Sequence, residues 1–132
     1  MKTVLVTDGL SPAGVDYLKK EGLEVDVIPT LPEALLCARI RGAHGVIVRS
    51  ATNVTRKVVE AGAELVVIGR AGAGVDNIDV EAATLRGIIV MNTPGANTIA
   101  VAEHTIGLLL ALARNLPQAH GALKAGRWEK SK

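Results

Sequence analysis

Short runs of aliphatic and β-branched residues alternate along the chain with segments of helical periodicity, and this alternation restricts the possible folds more than any other feature. Runs at residues 3–7, 25–28, 45–50, 65–69 and 88–92 predict five strands. The last three are almost uninterrupted in Val, Ile and Leu, which is typical of strands covered on both faces. Strands that alternate with helices across short loops indicate a parallel sheet with helices on both sides. The sequence therefore predicts an α/β fold.

N-cap residues and prolines mark the starts of the helices between these strands. Ser11 precedes Pro12, and Pro32 begins a second helical segment. Thr55 and Asp79 stand at the N-cap positions of two more helices, which are places that these residue types favour. Strands and helices in this rhythm predict a flavodoxin-like, doubly wound five-stranded parallel sheet with the strand order 2-1-3-4-5.

The segment from residue 98 to 114 differs from the earlier helices because it is apolar nearly all round. A helix of that kind is buried on more than one side, so we expect a partner that the five strands do not supply. The chain is accordingly divided into residues 1–97 and 98–132, with a further short helix at 118–124. Without another partner, we expect the apolar helix to form a homodimer with a second copy or to fold back onto the chain's own sheet.

Composition and charge exclude several classes of protein. Of the 132 residues, 48% are hydrophobic and 21% are charged, which indicates a globular chain. A net charge of +2 and only 2% aromatic residues argue against a basic patch or a stacking platform for nucleic acid. The apolar segment contains Glu103 and His104 and is shorter than the roughly 20 residues that a membrane span needs.

The single cysteine and the first residues bear on the cellular location. Cys37 excludes an intrachain disulfide and suits a reducing compartment. It lies in an apolar run, where a small core residue is the better interpretation. Met1 leads directly into the first strand pattern without a visible signal peptide. We therefore expect a cytoplasmic protein.

Candidate functional residues follow the strands, because ligands bind beyond the carboxyl ends of the strands in open parallel sheets. Arg49 and Ser50 end the third predicted strand, and a guanidinium in that place can pair with a carboxylate or a phosphate. Position alone is equally compatible with a surface arginine. Asn97 stands beside a helix N-terminus, which favours anions, although a plain N-cap is the simpler interpretation.

A glycine-rich segment, residues 69–79, follows the fourth strand and contains Gly72, Ala73 and Gly74 as candidate substrate-binding residues. Glycines let backbone N–H groups approach a ligand, and a run of such amides binds anions. An asparagine stands where a dinucleotide-binding GxGxxG loop has its third glycine, so the segment fails as that fingerprint. A carboxylate-binding loop and a plain turn before the helix capped by Asp79 both stay open.

No catalytic or metal-binding pattern stands out elsewhere in the sequence. The three histidines, His44, His104 and His120, form no Ser-His-Asp order and have no zinc-site spacing. No P-loop or close pair of carboxylates is present either. We therefore assign no catalytic residue and no metal ligand.

Three segments taken together resemble one enzyme family. They are Arg49-Ser50-Ala51-Thr52, the glycine-rich segment 69–79, and the stretch from Asn92-Thr93-Pro94 to Ala102-Glu103-His104. In order and spacing they are similar to the D-2-hydroxyacid dehydrogenases of the 3-phosphoglycerate dehydrogenase type, and the similarity covers the whole chain. The resemblance implies a flavodoxin-like substrate-binding domain joined to a Rossmann domain for NAD. Such enzymes oxidise 3-phosphoglycerate to 3-phosphohydroxypyruvate in serine synthesis.

The same resemblance implies a role for each matched residue. Arg49 and Ser50 would face the phosphate end of the substrate. The amides of Ala73 and Gly74 would hold its carboxylate, and Asn97 would help to position it. Ala73 also matches a position that contacts NAD in some members, here through its backbone.

The family's remaining functional residues have no match in this sequence. The GxGxxG loop, the ribose-binding Asp and the catalytic Arg, Glu and His belong to the Rossmann domain, and His104 does not match that histidine. Arg70 is expected to be structural. The apolar helix resembles the one that crosses to the nucleotide-binding domain. The resemblance thus implies an NAD-dependent enzyme of which this chain supplies part of the substrate site, without activity of its own.

Two other functions suit the same fold. A signalling receiver needs an acidic pair after the first strand and an Asp after the third, where this chain has Asp8-Gly9 and Arg49. An FMN-binding flavodoxin needs a phosphate loop rich in Ser and Thr after its first strand, and Asp8-Gly9-Leu10-Ser11 is not such a loop. A stand-alone ligand-binding or signalling module is therefore the weaker alternative.

Overall fold

The five strands form one parallel sheet in the computed structural model, which describes residues 1–128. The order β2-β1-β3-β4-β5 confirms the predicted order, and every neighbouring pair is parallel. The strands are β1 (Thr3–Val6), β2 (Glu24–Val27), β3 (Gly45–Val48), β4 (Val67–Arg70) and β5 (Ile89–Met91). The helices are α1 (Pro12–Lys20), α2 (Glu33–Arg39), α3 (Arg56–Ala61), α4 (Val80–Leu85), α5 (Thr98–Ala113) and α6 (Leu116–Lys124), with a 3-10 turn at Ile40–Gly42.

Two elements start two residues away from their predicted first residues. β4 starts later than residue 65, because the N–H of Leu65 bonds to the oxygen of Gly62 in a turn, at 3.1 Å, and strand pairing begins only at Val67. α6 starts at Leu116 rather than at residue 118, with Pro117 in its first turn. Proline fits there because the first N–H groups of a helix have no intrahelical acceptor.

The helix caps explain where the connecting loops end. Ser11 and Asp79 cap α1 and α4 as predicted, each accepting a backbone N–H from the first turn. Thr55 holds the N-cap position of α3 but makes no capping bond. Its hydroxyl instead donates to Glu33, at 2.7 Å, so Thr55 holds the predicted N-cap position but uses its side chain for a different bond.

The hydrophobic core lies between one face of the sheet and the helices α2, α3 and α4. Leu5, Val46 and Ile68 lie side by side on this face, because the strand register places Val46 between the other two. Cys37 is partly buried and packs against the same core, as expected for a small apolar residue. The helices and the 3-10 turn contribute Leu36, Ile40, Val58, Val59, Ala82 and Ala83.

The opposite face of the sheet is more open. A groove of about 420 Å³ runs between α1 and the strands, with Leu18 on one side and Val4, Ile47 and Val67 on the other. Met91, on the edge strand, also lines the groove and is 57% exposed. Within residues 1–96, helices thus cover one face of the sheet and only part of the other.

The chain divides into two units, Met1–Ala96 and Asn97–Lys132. In the second unit, α5 and α6 contact each other, and none of the apolar residues of α5 is buried. No single helix among residues 1–128 is both long and apolar enough to cross a membrane, and α5 and α6 reach that length only as a pair with a 65° bend.

Candidate functional site

Two loops follow adjacent strands at the same end of the sheet and are joined by hydrogen bonds. Val48 pairs with Arg70 at the ends of β3 and β4, so the Arg49–Thr52 loop and the glycine-rich loop (residues 71–77) begin side by side. The N–H of Ala71 donates to the oxygen of Val48, at 2.9 Å. The fold therefore brings most of the candidate site residues to one end of the sheet: Arg49, Ser50, Gly72, Ala73 and Gly74.

Asn77 connects these two loops. Its Nδ2 donates to the backbone oxygens of Arg49 and Thr52, both at 2.6 Å. Its Oδ1 accepts from Nε of Arg70, at 2.9 Å, and the Arg70 side chain is only 12% exposed. Arg70 is thus part of the supporting structure, in agreement with the structural role expected for it. The asparagine at the position of the third glycine of a dinucleotide loop thus holds the neighbouring loop.

Asp8, at the end of β1, reaches the Arg49–Thr52 loop from another direction. Its Oδ2 accepts the N–H groups of Arg49 and Thr52, both at 2.9 Å. Its Oδ1 accepts the hydroxyls of Thr52 and Thr30, both at 2.6 Å. Burial by itself raises the pKa of Asp8, but the hydrogen bonds favour the carboxylate more strongly and hold the pKa below its ordinary value. Asp8 is therefore ionised at neutral pH.

The tip of the Arg49–Thr52 loop carries groups that the protein itself does not use. Arg49 and Ser50 are exposed, and within residues 1–128 neither side chain has a hydrogen-bond or ion-pair partner. The N–H groups of Ser50 and Ala51 also have no acceptor in that part of the chain. A free guanidinium beside free backbone N–H groups can bind an anion through charge-assisted hydrogen bonds.

Gly72 has a structural reason to be glycine. A Cβ atom on Gly72 would overlap the guanidinium of Arg70, so the missing side chain makes room for Arg70. The N–H of Gly72 donates to the oxygen of Arg70, at 2.9 Å, and its oxygen accepts from Thr93, at 3.0 Å. Both backbone groups of Gly72 are therefore engaged, and its contact with a substrate stays a prediction.

The next two residues leave their N–H groups available. Nδ2 of Asn92 holds the oxygen of Ala73, at 2.6 Å, which fixes the orientation of this part of the loop. Among the described residues, the N–H groups of Ala73 and Gly74 have no acceptor. These two amides can therefore bind a carboxylate, as a run of backbone N–H groups does.

Asn97, the remaining candidate, belongs to the second unit. It is exposed and holds the N-cap position of α5, but its side chain makes no capping bond. Its amide thus has no partner within residues 1–128. The assignment of Asn97 to the substrate site stays a prediction.

The histidines and acidic residues supply no further reactive centre in the described part of the chain. Nδ1 of His44 accepts the N–H of Thr3, at 3.2 Å, which gives His44 a structural role. Within residues 1–128, no group of three or more His, Cys, Asp or Glu side chains could hold a metal ion.

The residues near the glycine-rich loop do not fit a dinucleotide. Asn77 is committed to the Arg49–Thr52 loop. The helix that follows, α4, is capped by the carboxylate of Asp79, which accepts the N–H of Ala82 at 2.8 Å. A carboxylate there takes the place at a helix N-terminus where a dinucleotide pyrophosphate binds. Contact between NAD and the backbone of Ala73 stays a prediction.

Sequence reasoning missed the polar residues that hold the two loops. Asp8, Thr52, Asn77 and Asn92 make these hydrogen bonds. Each is a short polar residue near the carboxyl end of a strand, a place where such side chains bind backbone groups of neighbouring loops. That shared position is the signal that could have identified them.

A family comparison agrees with this geometry. The model of the D-isomer specific 2-hydroxyacid dehydrogenases, catalytic domain, matches residues 4–126. The chain belongs to this family. The resemblance inferred from the sequence is thereby confirmed.

Individual relatives show how much of a 2-hydroxyacid dehydrogenase the chain represents. D-3-phosphoglycerate dehydrogenase from Methanocaldococcus jannaschii is 52% identical over 132 residues, which are 100% of this chain and 25% of that protein. The crystal structure of the TT0316 protein from Thermus thermophilus superposes with a TM-score of 0.86 and 39% identity, covering 98% of this chain and 42% of that one. The NAD+-bound 3-phosphoglycerate dehydrogenase of Entamoeba histolytica superposes with a TM-score of 0.73 and 37% identity, covering 84% and 39%. The chain therefore spans a quarter of the length of such curated relatives.

Proposed function

We propose that this chain supplies the substrate-binding part of an NAD-dependent dehydrogenase that acts on 3-phosphoglycerate or a similar phosphorylated 2-hydroxy acid. One observation carries the proposal: the guanidinium of Arg49, which has no partner within residues 1–128, stands on a loop whose backbone is fixed by Asp8 and Asn77. Membership of the 2-hydroxyacid dehydrogenase family and the 52% identity to a D-3-phosphoglycerate dehydrogenase support it.

The phosphate of the substrate would bind at the Arg49–Thr52 loop. A guanidinium can donate two parallel hydrogen bonds to phosphate oxygens, and such bonds are roughly twice as strong as neutral ones. The hydroxyl of Ser50 and its free N–H would add two further donors. Because the loop is already ordered, little conformational entropy is lost when the phosphate binds.

The carboxylate of the substrate would bind at the glycine-rich loop. The N–H groups of Ala73 and Gly74 have no acceptor in the described part of the chain and could bind it, whereas Gly72 supports the loop through bonds to Arg70 and Thr93. The part expected for Asn97, helping to position the substrate, is a prediction from the family resemblance.

The redox step would require groups beyond those described. NAD accepts a hydride in reactions of this kind, and we propose that a Rossmann domain of the whole protein binds it and carries the catalytic Arg, Glu and His. Residues 1–128 would orient the acid. We therefore expect no NADH-dependent reduction of 3-phosphohydroxypyruvate by the 132-residue chain, and measurable turnover would contradict this division of roles.

Assembly and location complete the proposal. Ile99, Leu109 and Leu112 of α5 are all more than 60% exposed in the single chain. Removing such surface from water contributes about 25 cal/mol per Å², which favours a homodimer through α5 when no other domain covers it. A cytoplasmic location, in keeping with the single cysteine, belongs to the same proposal.

Calorimetric titration with 3-phosphoglycerate and with D-glycerate, which lacks the phosphate, tests the proposed site. We expect Arg49→Gln to weaken 3-phosphoglycerate binding by about tenfold or more, the loss of at least one charge-assisted bond, and to change glycerate binding little. Arg41→Gln is the matched control, since Arg41 is exposed and has no ion pair within the described residues. Equal affinity of the Arg49→Gln variant and the unsubstituted chain for 3-phosphoglycerate would refute the assignment.

A further inference from the structure

The Arg49–Thr52 loop is held at both of its ends and from both sides. Asp8 accepts the N–H groups of Arg49 and Thr52, both at 2.9 Å. Asn77 donates to the oxygens of the same two residues, both at 2.6 Å. All four backbone hydrogen-bonding groups of the two end residues therefore have partners, whereas the N–H groups of Ser50 and Ala51 between them are free within residues 1–128.

The Asp8 carboxylate is fully used by this arrangement. An ionised carboxylate offers about four lone-pair sites, and Asp8 receives four donors: two N–H groups at Oδ2 and the hydroxyls of Thr52 and Thr30 at Oδ1. Thr52 is only 1% exposed, so one end of the loop is anchored in the protein interior. Asp8 thereby joins the ends of β1 and β2 to the loop that follows β3.

We propose that Asp8 is a positioning residue for the anion-binding loop: it does not contact the substrate but fixes the backbone that presents the Arg49 guanidinium and the N–H groups of Ser50 and Ala51. This inference rests on the proposed function, because the loop matters to the reaction only if it binds the phosphate. Asn77 is its counterpart on the opposite side of the loop.

Substitutions at Asp8 can separate its role as a hydrogen-bond acceptor for the loop from the effect of its negative charge. In Asp8→Asn, the amide oxygen can still accept the two N–H groups, while the NH₂ donates to the hydroxyls of Thr30 and Thr52, which are able to accept. The backbone of Asp8 has a φ of 62°, a left-handed conformation that asparagine also tolerates. Asp8→Ala removes both acceptor oxygens and with them all four hydrogen bonds. Asp8→Gly does the same without steric strain at this φ.

Two measurements on the 132-residue chain test the proposal. Nuclear spin relaxation of the Ser50 and Ala51 amides reports loop order without any ligand, and calorimetry reports the affinity for 3-phosphoglycerate. We expect increased motion of both amides and about tenfold weaker binding in Asp8→Ala, as the loss of one or two hydrogen bonds implies. Asp8→Asn should retain loop order and bind within about threefold of the unsubstituted chain. Asp16→Asn, at an exposed position of α1, is the control and should change neither quantity.

The outcomes distinguish this inference from the proposed function. If the unsubstituted chain does not bind 3-phosphoglycerate, the proposed function fails, while relaxation of the Ser50 and Ala51 amides still decides whether Asp8 orders the loop. If Asp8→Ala does not fold, Asp8→Gly takes its place, since it removes the carboxylate without the strained φ. Two results would overturn the positioning role. One is unchanged loop order in the folded Asp8→Ala or Asp8→Gly variant, and the other is the same loss of affinity in that variant as in Asp8→Asn. A purely structural residue would lower the unfolding free energy without moving these two readouts.

Discussion

The guanidinium of Arg70 occupies the space that a Cβ atom on Gly72 would need. Nε of the same guanidinium donates to Oδ1 of Asn77, at 2.9 Å, and Asn77 holds the backbone oxygen of Arg49. Gly72 in the glycine-rich loop is therefore linked to the loop that carries Arg49 through the side chains of Arg70 and Asn77. The two halves of the candidate site depend on each other through this connection.

Gly72→Ala should destabilise the protein because the new methyl group displaces Arg70 and weakens its bond to Asn77. We expect the free energy of unfolding to fall by about 1–3 kcal/mol, as overpacking of a well-packed site does, measured by urea denaturation. Gly74→Ala is the matched control: its Cβ would approach Oδ1 of Asp76, at 2.9 Å, and that side chain is 88% exposed and can move away. Equal losses in the two variants would show that the Arg70 guanidinium is not the obstacle.

Asn77→Ala should destabilise the chain by leaving the oxygens of Arg49 and Thr52 without their donor. The expected loss is about 1–3 kcal/mol, mainly from the oxygen of Thr52, whose bond to Asn77 is partly buried. Asn77→Asp should be similarly harmful, because an ionised carboxylate cannot donate. Asn53→Ala, at an exposed position, serves as the control in the same denaturation experiment. A stability of Asn77→Ala equal to that of the control would contradict the role of Asn77.

The sheet could be predicted from the sequence because its signals are local. The uninterrupted aliphatic runs and the capping residues Ser11 and Asp79 specify elements whose order then follows from general rules for parallel sheets. Thr55 shows the limit of such reasoning: its hydroxyl bonds to Glu33, which is distant in sequence, and no local pattern reveals that choice.

Apart from Gly72, whose two backbone groups are engaged, the site residues that the sequence predicts have a side chain or an N–H group without a partner among the described residues. Arg49 and Ser50 were identified by their place after β3 and by family resemblance. The residues that support them, Asp8 and Asn77, hold the loop through contacts between positions 25 to 44 residues apart. In the sequence, Asn77 is visible only as a departure from a glycine motif, because its hydrogen bonds to the Arg49–Thr52 loop form only once β3 and β4 are paired.

The stability of the chain should depend on pH in acid through Asp8. The pKa of Asp8 is lowered in the folded chain. At pH values between this lowered pKa and the ordinary one, the unfolded chain therefore binds more protons than the folded chain. The stabilising contribution is complete above the ordinary pKa, about 4, and is lost as the pH falls through the folded pKa. Asp8→Asn removes this titration, so its free energy of unfolding should decrease less on acidification. Urea denaturation at several acidic pH values measures the slope, with Asp16→Asn as the control. An unchanged slope in Asp8→Asn would contradict the prediction.

The proposed homodimer should depend on the apolar surface of α5. Leu109 is 63% exposed in the single chain, so Leu109→Glu should leave the fold intact and shift the chain toward the monomer in sedimentation equilibrium. Leu85→Glu, a like substitution at a leucine of α4 that is 73% exposed, should leave the association unchanged. Dimers that persist in Leu109→Glu, or monomers in the unsubstituted chain at all concentrations, would exclude this interface.

Backbone amide NMR of the 132-residue chain during titration with 3-phosphoglycerate tests the central claim most directly, because it observes both loops at once. The free N–H groups of Ser50, Ala73 and Gly74 should show saturable shifts, and D-glycerate should shift Ala73 and Gly74 but leave Ser50 largely unaffected. Arg49→Gln should reduce the shift at Ser50 without abolishing those of the glycine-rich loop. Saturable binding of 3-phosphoglycerate without shifts at these three amides, or no binding at all, would contradict the assignment of a substrate site to these loops.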